Sequence, residues 1–327
     1  MQYLVRRPWE VPEHAHTSEA HYRQRRILRR EFLQSAGLLG GAAMLAPLAG
    51  CSQPTDAEIV AAGKVETSVS LDEFYPAQRR SEYDYGRPET SARAAAEYTN
   101  FYEFSYSKAV YGAVGKFRAS PWTLTVDGLC AQPREFDVDD LHRLFGLEER
   151  AYRHRCVEAW AMCVPWTGFP LSKLLAMVEP QPAAKFVRLE TFLRPDEAPQ
   201  QRKSSQPWPY VEGLTLAEAR NELALLATGI FGAPLPKQHG APVRLVVPWK
   251  YGYKGIKSIV RITLTDKQPA TFWNTLAPNE YDFPALVDPE VPHPRWSQAT
   301  EWMLGTREEY PTQKYNGYGD LVGSLYA

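Results

Sequence analysis

From Trp122 onward the apolar runs are short, and strand-like runs and helix-like runs follow one another in no fixed order. This irregular order constrains the fold more than any figure of composition. A parallel doubly wound sheet needs a repeating strand–helix–strand rhythm, and that rhythm is missing, so the pattern predicts an α+β domain. Residues 122–126 (Trp-Thr-Leu-Thr-Val) alternate as a strand closed by a turn at Asp127-Gly128. Residues 138–144 have helical spacing, with Asp137 as N-cap. The same reading predicts helices over 171–178 and 216–226 and strands over 186–190, 243–247 and 259–264. No internal repeat and no second-domain boundary is visible.

The chain of 327 residues has ample material for one large core. Lys+Arg number 37 against Asp+Glu 38, a balance that gives no reason to expect nucleic acid, and no nucleic-acid motif is present. Nine Trp, 18 Tyr and 27 Pro make the chain rich in rigid aromatic and loop positions, which suits a site enclosed by long irregular segments.

Residues 25–51 read RRILRREFLQSAGLLGGAAMLAPLAGC. A basic segment, a weakly apolar Gly/Ala-rich stretch and small residues before a cleavage point form a secretory signal. Arg29-Arg30 followed by Phe32-Leu33 resembles the twin-arginine type, which the twin-arginine translocase reads and which exports folded proteins. A transmembrane anchor would need about 20 apolar residues, and residues 35–50 are too few and too interrupted. Leu48-Ala49-Gly50-Cys51 also has the form of a lipoprotein box, although ordinary cleavage near 45–62 is the preferred expectation. The expected organisation is a cleaved extension and signal over 1–50, an extended lead-in over 51–97 and a catalytic domain over 98–327.

Export would leave Cys130, Cys156 and Cys163, an odd number of thiols in an oxidising compartment. No C-x-x-C pair or nearby His pair suggests zinc. Cys130 and Cys163 read as small buried hydrophobes. Cys156 follows Arg153-His154-Arg155, and neighbouring cations favour the thiolate that binds metal or attacks an electrophile. On local chemistry alone, a structural cysteine beside solvent-facing arginines fits equally well.

The longer run from Arg155 to Leu171 (RCVEAWAMCVPWTGFPL) resembles the molybdenum-ligand segment of the sulfite oxidase superfamily. Asn100-Phe-Tyr-Glu-Phe104 upstream, and His239-Gly-Ala-Pro-Val-Arg244, Pro248-Trp-Lys-Tyr-Gly-Tyr-Lys-Gly-Ile-Lys-Ser-Ile259 and His293-Pro-Arg-Trp-Ser-Gln-Ala-Thr300 downstream, extend the likeness. In this order they resemble the catalytic subunits of bacterial periplasmic protein-methionine-sulfoxide reductase systems, over nearly everything from Tyr98 onward. The resemblance implies a single molybdopterin-binding domain without a C-terminal dimerisation domain, and a mononuclear Mo-molybdopterin cofactor. It implies Cys156 as metal ligand and catalytic residue. Asn100, Tyr102, Glu103, Thr191, His239, Arg244, Gly255, Ile256 and Lys257 are implied as cofactor contacts. A protein thiolate is a natural soft donor beside two dithiolene sulfurs, and Arg244 and Lys257 suit the pterin's phosphate.

The implied activity is quinone-linked repair of periplasmic proteins, reducing protein-bound methionine sulfoxide to methionine. Oxidised periplasmic proteins would be the substrates. A haem-containing membrane subunit would supply electrons, with this chain as one monomer of a heterodimer. Glu158 is expected to relay a proton or, more simply, to hold an arginine. Trp160 and Trp166 either cradle a thioether or pack the core. The rivals are sulfite oxidation on the same scaffold, a hydrolase with Cys156 as nucleophile and His154 or His239 as base, and a non-catalytic lipoprotein held through Cys51.

Overall fold

Thirteen strands form two mixed sheets in the structure, a computed structural model that describes residues 54–67 and 70–327. In chain order they begin with β1 (Gln78–Arg79), β2 (Thr123–Gly128), β3 (Arg134–Asp137), β4 (Glu148–Arg155) and β5 (Trp160–Pro170). Next come β6 (Phe186–Thr191), β7 (Val211–Thr215), β8 (Leu225–Ile230), β9 (Ala233–Pro234) and β10 (Arg244–Val246). The last three are β11 (Ile259–Thr265), β12 (Thr300–Met303) and β13 (Glu309–Pro311). The twin-arginine stretch, the lipoprotein box and Cys51 lie outside the described residues.

The first sheet runs β1-β4-β5-β12-β13, and β5 also pairs with β8, which carries β9 and β10. The second runs β3-β2-β11-β6-β7. Parallel pairs (β1 with β4, β5 with β12, β2 with β11) sit among antiparallel ones, and the helices between them are short. The fold is α+β. All 11 residues of β5 are buried, so this strand is core on both faces. At its irregular step against β8 a Cβ on Gly168 would stand 2.1 Å from the Leu226 carbonyl oxygen, so only glycine lets the two backbones meet there.

Most of the expected elements form. The helix Val138–Phe145 is capped by the Asp137 side chain, which accepts from Asp139 N at 3.0 Å. The helix Leu171–Val178 buries Leu171, Leu174, Leu175 and Val178, the stripe its spacing describes. The expected helix over 216–226 stops at Arg220. A capping box between Thr215 and Glu218 starts it, and then Leu225–Ile230 becomes β8, buried at every residue. A run that is apolar on all sides has no period to separate helix from fully covered strand, and the places beside β5 and β10 decided it. Within 54–97, expected to be extended, there are helices at Asp56–Ala62 and Ala92–Glu97, and Ile59 and Ala95 are fully buried.

Candidate cofactor cleft

A cleft of about 710 Å³, partly open to solvent, is lined by the turn after β4, the segment around Asn100, the start of β10 and the Gly252–Lys257 loop. Cys156 sits in the tight turn between β4 and β5. Its N–H donates to Trp160 O at 2.9 Å, and its carbonyl accepts from Ala159 N at 3.0 Å. Ala159 closes the turn at a φ of 67°.

The His293–Thr300 motif holds this turn from behind. Trp296 Nε1 and Gln298 Nε2 both donate to the Val157 carbonyl, at 2.7 and 2.8 Å. The His293 ring lies flat on Trp296, with centroids 3.8 Å apart. Arg155 is fully buried; its Nη2 donates to Gln298 Oε1 at 2.8 Å, and its Nε lies 2.9 Å from Glu301 Oε2. The charge of buried Arg155 still favours the thiolate, but burial and Glu158 outweigh it, so the flanking cations do not set the state of the thiol. Arg155 is engaged by Glu301 and Arg153 reaches Gln313 at 2.6 Å. Burial, assisted by the charge of Glu158, pushes the free thiol up to about 12.

Glu158 organises the mouth. One of its oxygens accepts from Asn100 Nδ2 at 3.2 Å and Trp160 Nε1 at 3.1 Å, and pairs with Lys108; the other accepts from the Tyr102 hydroxyl at 3.3 Å. The cation it holds is thus a lysine, not the arginine expected. Burial works to raise the Glu158 carboxyl, but Lys108, Asn100 and Trp160 outweigh it and hold it below the usual range. Tyr102, Trp273 and Tyr281 form an aromatic wall beside it, with successive ring centroids 5.0 and 4.9 Å apart.

The opposite end is cationic. Arg244 is 2% exposed and reaches only backbone carbonyls, donating to His239 O at 3.0 Å and Gly255 O at 3.2 Å. Trp166 lies beneath its guanidinium at 4.7 Å. Half-buried Lys257 makes no hydrogen bond to a carboxylate among the described residues. Desolvation, with Arg244 close by, pulls its ammonium down to about 7. Desolvation also raises Glu103 to about 7, with Lys257 opposing. His239 is pulled down to about 3 by burial and by the same two cations. Desolvated positive charge with no carboxylate bonded to it is costly in a bare protein and calls for an anion.

Eight expected residues line the cleft together: Asn100, Tyr102, Glu103, Cys156, Arg244, Gly255, Ile256 and Lys257. Thr191 and His239 stand behind that lining. The Thr191 hydroxyl donates to Lys257 O at 2.8 Å and Ser258 O at 3.1 Å, pinning the basic loop from below. His239 supports Arg244 through its carbonyl. Of the two tryptophans, Trp160 lines the cleft and Trp166 is core. The sequence reading missed Lys108, Gly252, Trp273 and Tyr281. Gly252 lay within a quoted motif; the other three had no local signal, because their role depends on loops that meet only in the folded chain.

A buried thiol on the cleft wall with desolvated cations, and glycine backbone drawn close (a Cβ on Gly255 would meet Arg244 Nη2 at 2.9 Å), suit an anionic cofactor that brings its own metal. The donor set fits such a group: one soft sulfur, and cations for a phosphate. Residues 111–273 match the family "Oxidoreductase molybdopterin binding domain", and over that span the chain belongs to it. Its cofactor is Mo-molybdopterin. Among solved structures the chain is similar to the sulfane dehydrogenase SoxCD from Paracoccus pantotrophus, at 17% identity and a TM-score of 0.41, over 70% of this chain and 57% of that one. The chain thus spans less than two thirds of that protein's length.

Proposed function

We propose that this molybdopterin oxidoreductase reduces protein-bound methionine sulfoxide to methionine. The observation that carries the choice of substrate is the state of the mouth. Its lysine, Lys108, is already paired with Glu158 and bonded to Asn100, and Arg244 and Lys257, which have no hydrogen-bonded carboxylate among the described residues, are assigned in this proposal to the cofactor. A sulfite dianion needs free positive charge where it reacts. A sulfoxide side chain is neutral, and needs hydrogen-bond donors for its oxygen and apolar surface for its methyl group. Asn100 and Tyr102, which donate to Glu158 in the free protein, would turn their N–H and O–H to the sulfoxide oxygen, and Trp273 and Tyr281 offer the surface. Burial and the Glu158 charge push the Tyr102 phenol far above its ordinary value, so it remains a donor.

Arg244, Lys257 and the backbone at Gly255 would hold the cofactor's anionic part, Glu103 would balance Lys257, and Cys156 would be the protein's donor to the metal. When bound, the cofactor supplies oxygen-atom transfer coupled to a two-electron change. The chain's own residues do the rest. The Trp296–Gln298 clamp fixes the Cys156 turn, and the mouth excludes bulk water, leaving Cys156 4% exposed. The Glu158 network aligns the polar groups that meet the substrate.

The reading also places the protein in the periplasm, exported folded by the twin-arginine translocase, with a haem-containing membrane subunit as electron donor and oxidised envelope proteins as substrates. Methionine sulfoxide is a common reversible lesion, which gives such repair a use. The test is to compare the molybdenum-loaded protein on two reactions: reduction of N-acetylmethionine sulfoxide and of an oxidised protein with a reduced viologen dye, and oxidation of sulfite with ferricyanide. Sulfoxide reduction with little sulfite turnover is expected. Efficient sulfite oxidation without sulfoxide reduction overturns the proposal.

A further inference from the structure

His154 lies two residues before Cys156 on β4, opposite Met162 of β5. Directly opposed residues of an antiparallel pair share a face, and both of these side chains line the cleft. The same imidazole also walls a small recess behind the cleft together with Arg244, Gly252 and Gly255. Its position is tightly set. A Cβ on Gly252 would stand 2.5 Å from His154 Cε1 and Nε2, so the ring occupies the space that any larger residue at 252 would need. The Trp160 ring lies 5.3 Å away, centroid to centroid, inclined by 35°.

Despite this confinement, neither ring nitrogen has a hydrogen-bond partner among the described residues. Gln298, Arg155 and Arg244 nearby are all bonded, as buried polar groups generally are. An imidazole held by packing in a cleft, with its polar atoms left over, is a site for a ligand atom. Arg244 and Lys257, which share the cleft wall, supply the charge a phosphate needs. A neutral imidazole supplies something different, one donor and one acceptor.

We infer that His154 is a hydrogen-bonding contact to the pterin heterocycle of the cofactor, holding its ring system beside Gly252 while Arg244 and Lys257 take the charged part. The inference rests on the cofactor and not on the choice of sulfur substrate, so it stands or falls separately from the sulfoxide proposal.

The test compares His154→Phe, which keeps a flat ring without polar atoms, with His154→Gln, which keeps one donor and one acceptor. Each is expressed in a host that makes the cofactor and in one that cannot. The readouts are molybdenum per chain by elemental analysis, pterin released and measured by fluorescence, the rate of cofactor loss on dilution, and the melting temperature of the cofactor-free protein. His154→Phe is expected to melt like the parent when cofactor-free, yet to hold several-fold less cofactor and lose it several-fold faster, with His154→Gln restoring most of the retention. His154→Phe carrying and keeping a full complement of cofactor overturns the inference. Equal losses in both variants together with a lowered melting temperature of the cofactor-free forms also overturn it, since they would reduce His154 to packing. If His154→Phe does not fold, His154→Met takes its place under the same criteria.

Discussion

Lys254 and Lys257 stand three residues apart on one loop, and the fold treats them in opposite ways. Lys254 is 1% exposed and meets Glu212 at 2.8 Å; nearby, buried Lys250 meets Glu218 at 2.5 Å. Lys257 lines the cleft and has no such partner, and Arg244 beside it has only carbonyls. The region behind the loop therefore contains charges that complete the protein, whereas the region in front contains charges that wait for something else. A buried ion pair is weak evidence for stability, but breaking one is expensive, and a desolvated cation without a partner is a cost that only a ligand removes.

The largest effect is expected at the thiol. Cys156→Ala should lose its molybdenum and essentially all turnover while the cofactor-free protein melts as before, as measured by elemental analysis and calorimetry. Lys254→Met leaves Glu212 buried and unpaired, and should destabilise the protein by about 3–5 kcal/mol in urea unfolding. Lys257→Met is the sharp contrast. Its cofactor-free form should be as stable as the parent or more so, while cofactor affinity falls ~10–100-fold. Equal destabilisation by the two lysine variants would end the distinction between the regions.

A smaller effect is expected at the clamp. Gln298→Leu removes one of two donors to the Val157 carbonyl and one of several acceptors of buried Arg155, for ~1–3 kcal/mol. The smallest is a pH effect far from the cleft. Burial lowers His142, which stacks on Phe74 with centroids 5.4 Å apart. Its folded value lies below its unfolded one, so the unfolded chain binds the proton more readily. Stability present above the ordinary value near 6.5 is lost as the pH falls below it. The melting temperature of the cofactor-free protein should decline from pH 7 to pH 5, and His142→Leu should reduce that slope slightly.

Local sequence carried much of the framework. The cap at Asp137, the stripe in 171–178 and the alternation in 259–264 each express a period that short-range physics enforces, and each formed. Residues 216–226 show the limit, since the apolar run Leu223-Ala-Leu-Leu226 at their end has no polar face to mark it as helix and becomes strand according to what flanks it. The site divides in the same way. The positions of Cys156, Arg244 and the Gly255–Lys257 loop were legible because motif and residue chemistry coincide there. Thr191 was legible as a hydroxyl near the site, but its role as a pin beneath the loop depends on the pairing of β6 with β11.

The sequence by itself determined the α+β class, the thiol at 156 and the residue types able to take an anionic cofactor, because these follow from periodicity and side-chain chemistry. Only the tertiary structure decided which charges are spent and which remain. It paired Arg155 with Glu301, gave Lys108 to Glu158, and left Arg244, Lys257 and His154 facing one cleft. The reason is that pairing depends on distances between segments far apart in the chain, and no local pattern encodes those.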